Sequence, residues 1–487
     1  MSRRLLLLLI VFWGVMVFRL DSTWDGTEER VWIAAAIRNY HYYDFADIGL
    51  MVTRNPVPGT TEDLQFYTSH PPVAIWIPAI LTEFLGFNEL AIRYASVAAT
   101  LLSATVLYVI GRRLYNNDIA FWATLFYAGT PFIAYYSRLP GYTPFGMLFS
   151  LLYTAIIINW LKRPTQARFL ALLILTWLAV WTAWAAVFFI GTIGIIAMWQ
   201  GQVLHKKRVV LLGISSVLAF ITLIVFYQIQ WEGSIDGLVH RFLWRTSNAS
   251  GRQGTDAFNV LDYLIKNFSH IIYLATPSLF FLSIWGVVII KKRGGNHAIL
   301  IGLLLAGVLY QVAFRNASYI HPYYKAYLVP AMALSAGFVV VYARKGRWKR
   351  PIIDGLIASM MLVSVGVIGV MHFMADNQPW IFEIINTFQA QSTEDDILAV
   401  NFIDPKHNQV IQFYLFRPVV QIDSTIDIQN LADESQRRVL YIYCTELPAT
   451  ELVPTIETIF DDFAMYDSQP LLDEKCHLFF VEPQEPN

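Results

Sequence analysis

The sequence predicts a polytopic α-helical membrane protein of about 11 transmembrane helices that ends in a small soluble α/β domain. Three observations predict it. The 487 residues are 56% hydrophobic and only 15% charged, with a mean hydropathy of +0.47, which is too apolar for an ordinary soluble enzyme and excludes a disordered chain. Apolar runs of roughly 18 to 22 residues, each long enough to cross about 30 Å of hydrocarbon as a helix, recur up to residue 374. The charge then changes sign: residues 375–487 carry 20 acidic and 5 basic residues, net −15, against 16 and 30, net +14, before them.

The first run, Leu5 to Phe18, follows Arg3 and Arg4 and has the proportions of a signal peptide. No small-residue cleavage site follows it, so it reads as a retained helix. Further spans are expected near 91–110, 119–136, 143–161, 169–185, 186–203, 209–228, 271–290, 298–314, 322–342 and 352–373. Basic clusters fall after every second span, at Arg112-Arg113, Lys162-Arg163 with Arg168, Lys206 to Arg208, Lys291 to Arg293 and Arg344 to Arg350. The positive-inside rule puts these and the N-terminus in the cytosol. Eleven spans then leave three segments outside: a long first loop over 21–90, a loop near 229–270, and the tail from 375. The expected organisation is a membrane domain over 1–374 and a soluble extracytoplasmic domain over 375–487.

Within the tail, 396–400, 438–444 and 476–482 read as strands and 408–416 and 451–460 as helices, an alternation that suits a small α/β domain. Its cysteines, Cys444 and Cys476, pair if the tail lies outside the cytosol; two buried free thiols fit the sequence equally well. No glycine-rich phosphate loop, zinc spacing or internal repeat is present, and nothing points to a nucleic-acid partner.

The first loop holds 10 of the 16 acidic residues that precede the tail. Within it, residues 28–40 have apolar positions at helical spacing and predict a helix along the membrane surface, with Asp25 just ahead of it. Asp25 as an N-cap and Glu28 as its capping-box partner is one reading; a reactive carboxylate at the interface is the other. Further on, Pro71-Pro72 fixes an extended entry to an apolar stretch too short to span, a surface or re-entrant helix with His70 at its head. Arg93, Arg138 and the run Arg315 to Tyr327, which includes Lys325, place cations at outer membrane ends. Such cations are costly unless an anion pairs with them; a lipid phosphate would serve, and so would snorkelling to ordinary headgroups.

The order of these motifs carries a family resemblance. Carboxylates in a first outer loop, then "AAAIRN", "HPP", "AIRYASVAATLLSATVLYVIGRRLY" (91–115), "PFIAYYSRLPGYTPFGMLF" (131–149) and "HPYYKAYLVPAMALSAG" (321–337), resemble the GT-C membrane glycosyltransferases. The nearest branch is the protein O-mannosyltransferase and lipid A aminoarabinose transferase group. The likeness covers about 20–160 and 310–340; between them the chain matches only as membrane helices. It implies an enzyme that moves a sugar, with inversion, from a polyprenyl-phosphate donor to an acceptor at the outer face of a bacterial cytoplasmic membrane. The acceptor's class, whether protein, glycolipid or polymer, stays open.

The resemblance further implies a first-loop carboxylate as base. That is Asp25, with Glu28 as the alternative, because the adjacent Asp-Glu of many members is here spread as Asp25-Gly26-Thr27-Glu28. Arg138 and Lys325, then Arg93, are the candidates for the donor phosphate, and His70, His321, Tyr323 and Tyr324 are expected to line the site. Thr143 stands where members often carry an acid before the proline. Some relatives hold a divalent metal near the first loop, but no ligand set here calls for one, and no cofactor is expected. The rival reading is a polytopic transporter or flippase, for which two similar halves and charges near mid-span are the usual marks. A silent sensor or scaffold working through the acidic tail is a third.

Overall fold

The computed structural model describes residues 3–22, 31–57, 64–200, 203–247, 259–292, 297–343, 349–374, 379–401, 405–422, 425–444, 468–472 and 475–483. In chain order the helices are α1 (Arg3–Val17), α2 (Val31–Tyr42), a single turn α3 (Phe45–Ile48), α4 (Val73–Leu85), α5 (Glu89–Leu114), α6 (Asn117–Ala128), α7 (Pro131–Tyr136), α8 (Tyr142–Lys162), α9 (Gln166–Val180), α10 (Trp184–Gln200), α11 (Val203–Gln230), α12 (Ser234–Thr246), α13 (Val260–Ala275), α14 (Pro277–Lys292), α15 (Ala298–Ala313) and α16 (Arg315–Ile320). A 3-10 stretch, Pro322–Leu328, leads into α17 (Val329–Ala343), and α18 (Lys349–Met374) follows. The remainder is α19 (Pro379–Gln391), β1 (Ile397–Val400), α20 (Pro405–Leu415), β2 (Val419–Gln421), α21 (Thr425–Ser435), β3 (Val439–Cys444), β4 (Ser468–Leu471) and β5 (Cys476–Val481).

The chain divides into two compact units, one of Met1–Ser22, Ile48–Val52 and Phe66–Met371, the other of Thr23–Asp47, Thr53–Gln65 and His372–Asn487. In the first, local chemistry sets the helix starts. Asn88, Asn116, Thr165 and Asn259 each accept from a backbone N–H two or three residues ahead, filling an orphan donor of the first turn. Among the described residues, five helical stretches are long and apolar enough to cross a membrane alone: Glu89–Leu114, Tyr142–Lys162, Lys206–Gln230, Pro322–Ala343 and Arg350–Val370. The remaining apolar helices are shorter.

Helices occur at each expected span, with two departures. The 119–136 segment is broken between α6 and α7, where Pro131 opens a new helix and leaves Gly129 and Thr130 between them. The segment expected over 271–290 starts instead at Pro277. It is joined to α13 at a bend of 103°, made by Thr276 at φ +72° and the proline after it. Helix α17 lies at the centre of this unit, buried over nearly its whole length. It is approached through small residues: a Cβ on Gly337 would stand 2.8 Å from the Ala123 nitrogen, and one on Gly286 would stand 2.1 Å from the Ser335 oxygen.

The second unit is built on a five-stranded sheet of order β2-β1-β3-β5-β4, parallel among β2, β1 and β3 and antiparallel beyond. Parallel pairing demands crossovers, which α20 and α21 supply. β3 is buried at every position, as a strand covered on both faces must be. Cys444 and Cys476 face each other across β3 and β5 and form a disulfide. Arg438 grips Asp396 through two hydrogen bonds of 2.9 and 2.7 Å. Burial works against the Asp396 carboxylate, but Arg438 and the Thr393 backbone hold its pKa below the ordinary value. The expected strands and the 408–416 helix are present. β2, β4, α19 and α21 were too short or too polar to read, and the expected 451–460 helix lies outside the described residues.

The surface helix expected over 28–40 is α2, and it belongs to this second unit. Its Arg38 donates to the Phe413 carbonyl at 2.7 Å and to the Pro56 carbonyl, and its guanidinium carbon stands 4.6 Å from the ring centroids of both Phe413 and Phe416. The Asn39 amide donates to Thr53 Oγ1 at 2.8 Å and to the Asn55 carbonyl at 3.1 Å.

Candidate functional site

The site starts from two prolines. Pro71 and Pro72 bias the residues before them away from helical backbone, so α4 begins only at Val73 and the carbonyls of Ser69 and His70 stay out of the helix ladder. Three elements donate to those carbonyls. Trp184 Nε1 of α10 and Arg245 Nη1 of α12 both reach the Ser69 oxygen, at 2.9 and 2.7 Å, and the Tyr227 hydroxyl of α11 reaches the His70 oxygen at 2.7 Å. The turn is pinned by side chains far away in sequence.

His70 is buried and stacked on Tyr142, with ring centroids 4.2 Å apart at 15°. Its Nδ1 lies 2.6 Å from the Tyr67 hydroxyl. Arg245 Nη2 stands 3.2 and 3.3 Å from the two ring nitrogens, nearly equidistant, which puts it over the imidazole face and not along either lone pair. Burial opposes the Arg245 charge, but the oxygens of Tyr324, Tyr67, Tyr323 and Tyr310 more than offset it, so its pKa stands above the ordinary arginine value. Arg245 is a fixed cation.

Arg245 also lines a cavity of about 490 Å³ whose other walls are almost wholly apolar, among them Trp184, Phe188, Phe220, Leu238, Phe242 and Phe314. A greasy slot with a buried guanidinium on its wall suits an amphiphile with an anionic head. Near Arg245 stands an aromatic column: His321 stacks on Tyr323, Tyr323 on Tyr324 and Tyr324 on Tyr310, at 5.2, 5.0 and 4.7 Å. Buried Lys325 donates from Nζ to the carbonyls of Ser318 and His321.

The structure therefore brings His70, Tyr323 and Tyr324 into the surroundings of Arg245, with His321 and Lys325 on the segment that carries those tyrosines. Arg93 and Arg138 hold a different place. Arg93 Nη1 donates to the carbonyls of Leu20, at 2.9 Å, and Ser22, and Arg138 Nη2 donates to that of Arg19 at 2.8 Å. Both grip the chain just after α1. Asp25 and Glu28 lie outside the described residues. Among the described residues no three of His, Cys, Asp and Glu gather as metal ligands would.

Sequence reasoning missed Arg245. Its helix reads "SIDGLVHRFLWRT", an amphipathic pattern in which an arginine is expected to be solvated. The one available signal is Arg241 and Arg245 four apart in a segment expected to be an outer loop, both of which line the cavity.

The bundle of apolar helices, with a short helix opened by His-Pro-Pro, resembles in fold the GT-C membrane glycosyltransferases. More particularly, residues 69–227 match the family model of the dolichyl-phosphate-mannose-protein mannosyltransferases. In structure the chain is similar to ArnT from Cupriavidus metallidurans bound to undecaprenyl phosphate, with a TM-score of 0.63, 14% identity, and 99% of this chain and 98% of that chain covered. It is similar also to the Archaeoglobus fulgidus oligosaccharyltransferase in complex with zinc and sulfate, with a TM-score of 0.53, 13% identity, and 90% and 68% covered. The archaeal oligosaccharyltransferase AglB from that organism, in complex with an inhibitory peptide and a dolichol-phosphate, gives 0.50, 12%, 90% and 69%. No curated protein matches the chain in sequence. The resemblance to the GT-C glycosyltransferases thus holds in fold, and in sequence over 69–227.

Proposed function

We propose that the protein is an inverting glycosyltransferase that moves a sugar from a polyprenyl-phosphate donor to an acceptor at the outer face of the membrane. The observation that carries this reading is Arg245 on the wall of the apolar cavity. The prenyl chain lies in the cavity and the phosphate meets the guanidinium, whose five N–H donors exceed what Ser69 takes. ArnT and AglB, with their undecaprenyl and dolichol phosphates, support that class of donor.

In the reaction an acceptor hydroxyl or amide attacks the anomeric carbon from the side opposite the phosphate. One carboxylate of the first loop, Asp25 or Glu28, takes the acceptor's proton as the new bond forms. The bond from the anomeric carbon to the phosphate oxygen breaks, its electron pair stays on the phosphate, and Arg245 stabilises the added charge, with Lys325 as a second cation. His70, beneath Arg245, holds the guanidinium in place, and Tyr323, Tyr324 and His321 line the way to the sugar.

The disulfide between Cys444 and Cys476 supports an oxidising, extracytoplasmic side for the C-terminal domain, which with a cytosolic N-terminus agrees with eleven crossings of a bacterial cytoplasmic membrane. The test is to incubate the protein in lipid with a panel of polyprenyl-phosphate sugars, following release or transfer for wild type, Asp25→Asn and Glu28→Gln. Turnover with one donor, lost in one variant that still binds it, supports the enzyme and names its base. No binding and no turnover across the panel moves transport of a lipid-linked substrate to the front.

A further inference from the structure

A second apolar cavity lies among α13, α14, α15 and α17. It measures about 240 Å³, about half the volume of the one beside Arg245, and shares no lining residue with it. Two of its wall residues, Ile284 and Val308, are exposed, so it opens on the outside of the bundle, where a membrane helix meets lipid. Ile271 of α13 and Leu328 of the 3-10 stretch close other parts of the wall.

Cations gather one turn away from that wall on both elements. On α13, Lys266 and His270 follow one another along one face, and Asn267 and Ile271 along the adjoining one. In the 3-10 stretch, Lys325 lies one turn before Leu328. Packing joins the two elements at Ser318, whose carbonyl accepts from Lys325 Nζ and whose hydroxyl lies 3.0 Å from that of Tyr263 on α13. The Lys266 ammonium stands 4.4 Å from the ring centroid of the next residue, Tyr319. His270 is within electrostatic reach of Lys325 and Lys266, while the one acid of α13, Asp262, stands exposed in its first turn. Positive groups this close repel one another unless an anion lies among them.

Two polar atoms of the same stripe, His270 Nδ1 and Asn267 Oδ1, are buried and meet no hydrogen-bond partner among the described residues. Asn267 is only 8% exposed, and its amide nitrogen donates to the Tyr263 carbonyl at 2.7 Å, which fixes the oxygen as the unmet end. A buried acceptor of this kind calls for a donor, and an imidazole nitrogen can serve a phosphate oxygen.

We propose that these residues form a second lipid site, separate from that of the donor, for a phospholipid whose anionic headgroup carries a hydroxyl. The phosphate lies at Lys266 and His270, the headgroup hydroxyl donates to Asn267, and one acyl chain occupies the cavity, whose smaller volume suits a stretch of acyl chain better than a polyprenyl tail. Lys325, already held by two carbonyls, adds charge without touching the lipid. Such a lipid binds whether or not the protein transfers a sugar.

The test titrates full-length protein in detergent with dioleoyl phosphatidylglycerol, or with phosphatidylcholine of the same chains, following the thermal midpoint and counting bound lipid by native mass spectrometry. Phosphatidylglycerol is expected to raise the midpoint with concentration and phosphatidylcholine to leave it in place. Lys266→Gln is expected to weaken phosphatidylglycerol binding about fivefold, the contribution of one lysine beside an anionic headgroup. Ile271→Trp, which adds bulk to the wall from a half-buried position, is expected to weaken it about tenfold by excluding part of the chain. In both variants Kd for undecaprenyl phosphate stays within about twofold of wild type, as for a separate site. Should Ile271→Trp fail to fold, Lys266→Gln carries the test alone. An equal response to the two lipids, or unchanged phosphatidylglycerol binding in Lys266→Gln, overturns the site. So does an equal response to glycerol 3-phosphate, which makes it a site for free phosphate, or displacement of phosphatidylglycerol by equimolar undecaprenyl phosphate, which makes it the donor's.

Discussion

Two buried arginine corners of the membrane unit differ in what their cations face. Arg93, helped by Arg138, donates to the carbonyls of Arg19, Leu20 and Ser22, so its charge is turned onto the end of α1, where the negative pole of that helix's dipole lies. Arg245 also holds a carbonyl, that of Ser69, but stands over an imidazole and lines an apolar cavity. Burial and charge are the same in both; the first corner builds a joint and the second leaves a cation in contact with open apolar space. A buried cation points to a ligand only when its surroundings leave room for one.

The comparison breaks or sharpens through variants at four positions. The largest effect is expected for Arg245→Ala, a loss of about 100-fold or more in turnover together with weakened binding of undecaprenyl phosphate, since it removes the donor that meets developing charge. Arg245→Lys recovers little, because an ammonium lacks the fork. Arg93→Ala is expected to cost about 1–3 kcal/mol of stability by orphaning buried carbonyls, read as a fall in thermal midpoint in detergent, with donor affinity nearly unchanged. If Arg93→Ala weakens donor binding as strongly as Arg245→Ala, the two corners are one site and the distinction drawn here is wrong.

The third variant uses an arginine with a true carboxylate partner. Asp396→Asn keeps the shape but breaks the charge-assisted pair with Arg438, for about 1–2 kcal/mol. Because the folded-state pKa of Asp396 is depressed, its stabilisation is full above the ordinary carboxylate pKa and is lost as pH falls through the lowered one. Acid unfolding of the C-terminal domain, followed by near-ultraviolet circular dichroism, is therefore expected to become less steep in the variant. The smallest effect belongs to Tyr67→Phe, which removes the hydroxyl at His70 Nδ1 and loosens the base under Arg245. A loss of up to about tenfold in donor affinity is expected, measured by titration with undecaprenyl phosphate.

Much of the scaffold was legible because helix length and apolar runs are local. A helix stands at each expected span, although among the described residues five helical stretches are long and apolar enough to cross alone, and the Pro-Pro pair announced the start of α4. The joint at Gly129-Thr130-Pro131 and the bend at Thr276-Pro277 were hidden inside runs that composition alone joins to their neighbours. In the candidate site, His70, Tyr323 and Tyr324 were readable from motif order, whereas Arg245 was not. Its surroundings come from the turn at Ser69 and from Tyr67, Tyr310, Tyr323 and Tyr324, none of them near it in sequence, and its own helix looks like one that lies in water. The tertiary partners of Arg93 and Arg245 were likewise non-local: Leu20 and Ser22 for the one, Ser69 and His70 for the other. The grouping of α2 with the C-terminal sheet is a fact of packing that no local pattern in 28–40 contains.

The missing N–H groups of Pro71 and Pro72 have a consequence for the register of the whole corner. In a helix begun one turn earlier, the Val73 N–H would bond to the Ser69 carbonyl; here it bonds instead to the Trp181 carbonyl, at 3.1 Å. Two arrangements thus compete for the same pair of groups, and proline decides between them. With both Pro71 and Pro72 replaced by alanine, α4 can wind back toward Tyr67, and Ser69 would trade Arg245 and Trp184 for its own backbone. The resting place of a cation 174 residues away is in this sense determined by where one short helix is forbidden to begin.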